Sequence, residues 1–115
     1  MAESLNLVRV TVSGAPGTGT LTLSTAVQGF LTMAQAGAID GRLYEYAIEN
    51  DWQSGAWQSR EIVRGRWASG ANTLTREQTV ASTNSNNPIN VLAGAQVIIL
   101  KDAEDDPLPA WMVAY

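Results

Sequence analysis

The chain contains neither cysteine nor histidine, and it has a single lysine. Without cysteine there is no disulfide framework and no thiolate site for a metal or for redox chemistry. Without histidine the chain lacks the commonest general base and the commonest metal ligand. We therefore expect a protein that is not an enzyme and that uses no metal and no cofactor.

Charge is also scarce: only 16% of the 115 residues are charged, against about 25% in a typical globular protein. The excess of acid lies in KDAEDDP (Lys101–Pro107), because residues 1–100 carry six arginines against seven acids. No basic field is present to attract nucleic acid. No apolar run approaches the ~20 residues of a membrane span, and the N-terminus lacks the pattern of a signal peptide. We expect neither nucleic acid nor a membrane as a partner.

Short apolar and β-branched segments alternate with glycine-marked turns along most of the chain. Helical spacing occurs only in Gly29–Gly41, where Phe30, Met33 and Ala34 fall on one side and Gly37 is placed as a stop. This pattern predicts an all-β fold, a small antiparallel β-sandwich or barrel of about eight short strands with one short helical turn. The predicted strands are Leu5–Val12, Thr20–Ser24, Leu43–Glu49, Ala56–Trp67 (one long strand, or two with a kink near Gly65), Thr73–Arg76, a strand beginning at Ile89, and Gln96–Lys101.

The composition changes after the last predicted strand. Residues 1–101 form the predicted β-domain, whereas residues 102–115 are first acidic, then rich in proline, then apolar. Proline favours an extended path, and exposed apolar tails are avoided by monomeric proteins. We therefore expect an assembly arm that docks either on its own domain or on a neighbour, and its contact residues are Trp111, Met112, Val113 and Tyr115. The N-terminal segment adds Leu5, Leu7 and Val8, because both faces of that predicted strand are partly apolar.

Aromatic residues are concentrated between Tyr44 and Trp67. Tyr44, Tyr46 and Ile48 share one face of a predicted strand, and Trp67 is in phase with Val63, so these four side chains are expected to pack, as aromatic and β-branched residues on a sheet face commonly do. Trp52 and Trp57 flank a polar turn, where three roles stay open: packing, a subunit interface, and stacking on a ligand.

Paired carboxylates are the remaining feature with catalytic potential, since two of them can carry out glycoside hydrolysis. Glu45 and Glu49 share one face of a predicted strand, with Asp51 in the following turn. A solvated strand face explains this spacing more simply. GAPGTGT resembles a phosphate-binding loop only superficially, because no Gly-Lys-Ser/Thr follows and a strand comes next.

The central part of the chain resembles a β-module found in virion proteins of tailed bacteriophages, both head-attached decoration or spike proteins and tail fibres. The resemblance covers roughly residues 17–99, and GTGTLTLSTAVQGFLTMAQAG resembles the opening of the module. Two features depart from the pattern: extra residues between Trp52 and Arg64, and the apolar tail after Pro107. The positions that carry the resemblance are Tyr46–Glu49, Trp52, Gly65–Trp67, Ser69-Gly70, Leu74, Arg76, Ile89–Val91 and Gly94–Ile98.

The resemblance implies a non-enzymatic structural protein of the virion, made in the host cytoplasm. The first expectation is a capsid decoration (cement) protein that binds the outer head surface as a homotrimer, with the major capsid protein as its partner. The alternative is a tail-fibre or host-recognition module, in which Trp52 and Trp57 stack on a host surface glycan. A free carbohydrate-binding domain is a third possibility.

Overall fold

The computed structural model of the protein describes residues 5–104. A single 3₁₀ turn, Leu5–Leu7, precedes seven β-strands. The strands are β1 (Arg9–Val12), β2 (Leu21–Ala26), β3 (Leu43–Gln53), β4 (Ala56–Ala68), β5 (Thr73–Leu74), β6 (Gln78–Ser82) and β7 (Gln96–Asp102).

All pairings between these strands are antiparallel, and they close into a ring. The order β3-β7-β1-β2-β5-β4 returns to its start because β4 also pairs with β3, while β6 lies beside β4 next to β5. The predicted all-β antiparallel fold is confirmed. Two strands are long, however, since β3 has 11 residues and β4 has 13.

The core lies inside this ring, where the inward side chains of every second residue meet. In β3 the fully buried residues Tyr44, Tyr46 and Ile48 alternate with half-buried outward ones. Trp67 is buried as well, with its indole N–H donating to Asn72 at 3.1 Å. The prediction that these four side chains pack in the core is confirmed.

Some local predictions were wrong. Residues 5–7 form the 3₁₀ turn and not the start of a strand. Segment 29–41 does contain a short turn, in which the Ala36 N–H donates to the Thr32 carbonyl at 3.0 Å and Thr32 and Gln35 cap each other through side-chain bonds to backbone N–H groups of 3.2 and 3.0 Å, but the predicted apolar side of this turn is wrong. Its buried residues are Met33 and Ala36, whereas Phe30 is exposed, because one turn followed by Gly37 is too short to present a helical face.

Two further segments differ from expectation. The predicted strand beginning at Ile89 contributes only an isolated bridge between Val91 and Gly17. Conversely, QTVAS, which was not among the predicted strands, pairs with β4 as β6. The last strand continues to Asp102, and Ala103 is fully buried, so the packed body extends past the predicted boundary at residue 101.

Gly65 lies where the β5–β6 connection crosses close to β4. A Cβ placed on Gly65 would fall on the carbonyl oxygen of Thr75 and 2.6 Å from its carbonyl carbon. The same carbonyl oxygen accepts a 2.6 Å hydrogen bond from the Tyr46 hydroxyl. The predicted kink is therefore a close backbone approach within one continuous strand.

Candidate binding surfaces

The hairpin of β3 and β4 carries Trp52 and Trp57. The two strands keep one register from Leu43 to the tip and are joined by a two-residue turn, Ser54-Gly55. Both turn residues have positive φ, 51° and 81°, the requirement of the tight hairpin turns that match strand twist. Trp52 and Trp57 are direct cross-strand partners, with ring centroids 5.1 Å apart and planes at 70°. This edge-to-face pair stabilises the hairpin and leaves Trp52 59% exposed.

A groove of about 460 Å³ lies beside the tryptophan pair and is also lined by Gly94 and Gln96. The loop that carries Gly94 is held by the buried Asn50 side chain, which accepts from the N–H of Leu92 at 2.8 Å. Trp52 and Trp57 were predictable from the sequence as candidate contact residues, whereas Gly94 and Gln96 were not. More than 35 residues separate β3 from this loop in the sequence, so no local pattern indicates that the two contribute to one groove.

A row of paired charges crosses the outer surface of the sheet next to this groove. Glu49 accepts hydrogen bonds from Arg9 at 2.7 Å and from Arg60 at 2.9 Å, and Arg9 also donates to Gln96 at 2.8 Å. Burial acts to raise the pKa of Glu49, but the bonds and charges of the two arginines outweigh it and lower the pKa. The expectation of a plain solvated strand face was wrong for Glu49, which is 9% exposed.

A second outward row is apolar and forms the outer apolar stripe. Strand register places Ile98 beside Ala47, Ala47 beside Ile62, and Ile62 beside Ala81, so four neighbouring strands each contribute one residue. Leu100, at the bulge between β7 and β3, adds a side chain that is 45% exposed. The outer apolar stripe is therefore Ile98, Ala47, Ile62, Ala81 and Leu100. A groove of about 300 Å³ lies on it, between Ala47, Ile62, Ala81 and Leu100.

Charged rows border the stripe on both sides. On one side lie Glu49 and Arg60, and on the other the ion pair of Glu45 with Arg64, 3.0 Å long. An apolar centre with a polar rim is the usual anatomy of a protein–protein contact. The sequence carries one signal for this surface: residues 97–100 are all apolar, which gives β7 apolar residues on both faces.

The N-terminal candidates are divided by the fold. Val8 is completely buried in the core of its own chain, and Leu5 packs partly against that core. Leu7 is 47% exposed, and its carbonyl accepts a hydrogen bond from the N–H of Leu31. The neighbouring Phe30 ring has its centroid 5.5 Å from the Arg9 guanidinium. Of the three, Leu7 offers the most surface to a partner. The arm residues Trp111, Met112, Val113 and Tyr115 lie outside the described residues.

One buried ion pair joins the strands to two loops. Glu61 is 1% exposed, and it accepts from Arg76 at 2.5 Å, from the Thr79 hydroxyl at 2.6 Å and from the Ile89 N–H at 3.0 Å. Arg76 also donates to the Gly17 carbonyl at 2.6 Å. The pair therefore holds the loops around Gly17 and Ile89 against β4. Its carboxylate is fully engaged in this structural role.

Within residues 5–104, no group of three or more acidic or other metal-ligating side chains is arranged to hold a metal ion. The same part of the chain has no helix that is long and apolar enough to cross a membrane. No protein-family model matches the chain, and neither does any curated protein or solved structure. The candidate surfaces are therefore judged on their own geometry.

Proposed function

We propose that the protein is a non-enzymatic structural protein of a tailed-phage virion, and specifically a decoration protein on the outer head surface that acts as an oligomer. The outer apolar stripe is the observation that carries this proposal. It lies on a body whose core is already complete inside the ring, so its apolar side chains add nothing to that core. Such a surface gains free energy when another protein covers it.

The state of the carboxylates supports binding over catalysis. Glu45, Glu49 and Glu61 each accept a hydrogen bond from an arginine. These bonds hold the three carboxylates in fixed positions, and the arginines beside Glu49 lower its pKa, whereas a general acid needs a raised pKa. The outward surface also combines arginine with apolar residues, which is the composition of protein–protein contacts.

The resemblance to the phage module is consistent with a buried framework that sets the fold and an outer surface that binds a partner. Several residues that carry it are buried framework residues: Tyr46, Ile48, Trp67, Leu74 and Val91. A shared framework of this kind predicts a shared barrel, while the outward rows are free to suit one partner. The partner we propose is the major capsid protein, together with further copies of this chain.

The location of the chain on the particle tests the proposal. Particles made by the virus or prophage that encodes the chain would be purified, labelled with an antibody to this chain and imaged, with peptide quantification against the major shell protein. We expect label over the head, in a copy number comparable with that of the shell protein. Absence from purified particles would refute the proposal.

The tryptophan groove favours a second candidate, a tail-fibre or host-recognition module. An exposed aromatic face next to a carboxamide suits a sugar, since sugars combine an apolar ring face with hydroxyl groups. Trp52 and Gln96 provide these two elements. Label at the tail in few copies would support this candidate in place of the first.

Titration with host surface glycans, followed by tryptophan fluorescence, tests the second candidate directly. We expect a saturable response that is lost in Trp52→Ala and in Trp57→Ala. Ile39→Ala is the matched control, because Ile39 is an exposed apolar residue that does not line the groove. No response in the unaltered protein would exclude glycan binding at this groove for the glycans tested.

A further inference from the structure

The outer apolar stripe and the C-terminal segment are both apolar, and packing of the barrel core explains neither of them. We infer that the stripe of one copy is the docking site for segment 107–115 of a neighbouring copy, with Trp111 seated in the 300 Å³ groove between Ala47, Ile62, Ala81 and Leu100. The inference rests on the proposed assembly role and specifies which surfaces meet.

The point at which the described chain ends supports contact with a neighbour. Glu104 accepts from the N–H of Leu43 at 3.2 Å and from Arg66 at 2.9 Å, so the chain is held at the end of β3. Along β3, Leu43 lies four residues from Ala47 of the stripe, or about 13 Å at the rise of a β-strand. β7 passes the stripe at Ile98 before it reaches this point, so the chain leaves in the direction away from its own stripe.

The sequence of the segment opposes an immediate return. Proline disfavours a helical conformation of the residue before it, so Pro107 and Pro109 in the sequence favour an extended path over an early turn. A return to the chain's own stripe would need a reversal within this stretch. An extended arm over residues 105–115 spans about 34 Å at the rise of a polyproline helix, which is enough to reach another copy.

The chemistry of the two surfaces is complementary. The groove is lined mainly by Ala, Ile and Leu side chains and has room for one large aromatic side chain. The exposed cation Arg60 also lines the groove, and the segment is preceded by Asp105 and Asp106. A buried aromatic anchor with a charged rim is the common composition of binding hot spots.

An arm that leaves one copy and enters a different surface of the next is a heterologous contact, and such contacts close into rings when the rotation allows. This geometry accounts for a cyclic oligomer without any change in the barrel. Each contact is small, and the ring gains stability because all arms act together.

Cysteine trapping tests the inference cleanly, because the natural chain has no cysteine. Two single variants, Ala81→Cys and Met112→Cys, would be mixed under mild oxidation. We expect a mixed disulfide dimer to form more than about tenfold faster than with Thr22→Cys in place of Ala81→Cys, because docking raises the local concentration of the two thiols. Thr22 is an exposed residue of β2, away from the stripe. Equal rates with both partners would overturn the inference.

The double variant Ala81→Cys/Met112→Cys distinguishes a neighbour from the chain's own tail. Cross-linked oligomers are expected, whereas a disulfide confined to single chains at all protein concentrations would show docking within one copy and overturn the inference. Light scattering would measure the mass of three further proteins: the chain lacking residues 107–115, Trp111→Ala and Ile62→Arg. We expect all three to form oligomers of fewer chains than the unaltered protein does. Thr22→Arg should keep the oligomeric state of the unaltered protein, and circular dichroism would confirm that each variant is folded.

An oligomer that survives deletion of residues 107–115, or an unaltered protein that is monomeric at every concentration, would also overturn the inference. These measurements use the isolated protein, so their failure differs from failure of the proposed function. If the isolated protein shows no arm docking but the antibody labels the head, the virion role stands and only the arm inference fails. If the arm docks but the antibody labels no particles, only the virion role is refuted.

Discussion

The close approach at Gly65 predicts that Gly65→Ala will strongly destabilise the barrel. The backbone of Gly65 does not have a positive φ, so an alanine there suffers no conformational penalty of its own. The cost is steric, because the new Cβ would occupy the position of the Thr75 carbonyl oxygen. That atom belongs to the backbone, so the whole β5–β6 connection has to move.

The size of the effect follows from what such a movement breaks. Overpacking in a filled core costs about 1–3 kcal/mol. The displacement also strains the Tyr46–Thr75 hydrogen bond of 2.6 Å and the Thr75–Arg66 backbone bond of 3.0 Å, each worth about 1 kcal/mol net, with more lost if the buried hydroxyl is left without an acceptor. The free energy of unfolding should therefore fall by about 3–6 kcal/mol, a large share of the roughly 5–15 kcal/mol of a whole domain.

Denaturant and thermal unfolding, followed by circular dichroism, would measure this loss. A loss of about 4 kcal/mol corresponds to a fall in Tm of roughly 15–30 °C for a domain of this size. Gly70→Ala is the matched control, because a Cβ at Gly70 meets nothing within 4 Å. It should be neutral or slightly stabilising. Tyr46→Phe should cost only the hydrogen-bond part, about 1 kcal/mol. If Gly65→Ala unfolds within about 1 kcal/mol of Gly70→Ala, the steric reasoning is refuted.

Three further predictions concern charge and the hairpin turn. Glu61→Gln should lower the free energy of unfolding by about 3–5 kcal/mol because it leaves the buried Arg76 charge without its carboxylate. Denaturant titration would measure this loss, with the exposed Glu77→Gln as the control, and a similar loss in both variants would show that the Glu61–Arg76 pair contributes nothing. The folded-state pKa of Glu49 is lowered, so its ion pairs stabilise the fold above its ordinary pKa and this stability is lost as pH falls through the folded-state pKa. The difference in Tm between pH 7 and pH 3 should accordingly be smaller in Glu49→Gln, and an unchanged difference would contradict this. Gly55→Ala, at φ 81°, should cost about 1 kcal/mol by straining the turn, as thermal unfolding would measure, and no change would show that the turn relaxes.

The inward half of the barrel was predictable because it follows the two-residue period of a strand. Tyr44, Tyr46 and Ile48 could be assigned to the core from their spacing alone. The closed ring could not be assigned in this way, since it depends on which distant strands pair. β6 was missed for a related reason: its five residues are all half-buried, and a strand of that kind has no clear alternation.

The candidate surfaces also differ in how far the sequence predicts them. Trp52 and Trp57 stood out as residues, and their cross-strand pairing follows from the two-residue turn between them. The outer apolar stripe did not stand out, because Ala47, Ile62 and Ala81 come from different strands and none is unusual in its own segment. Only the register of four strands aligns these residues in one row.

Ring closure has a consequence for how the protein is made. The closing contacts join β1 to β7, as between Arg9 and Gln96, which are 87 residues apart in sequence. Contacts of such high sequence separation make folding slow, because a long loop has to be ordered before they form. During synthesis β1 has no β7 to pair with until nearly all of the described chain has been made, and its open strand edge is exposed to other chains in the meantime. Folding yield should therefore depend on how quickly the last strand arrives.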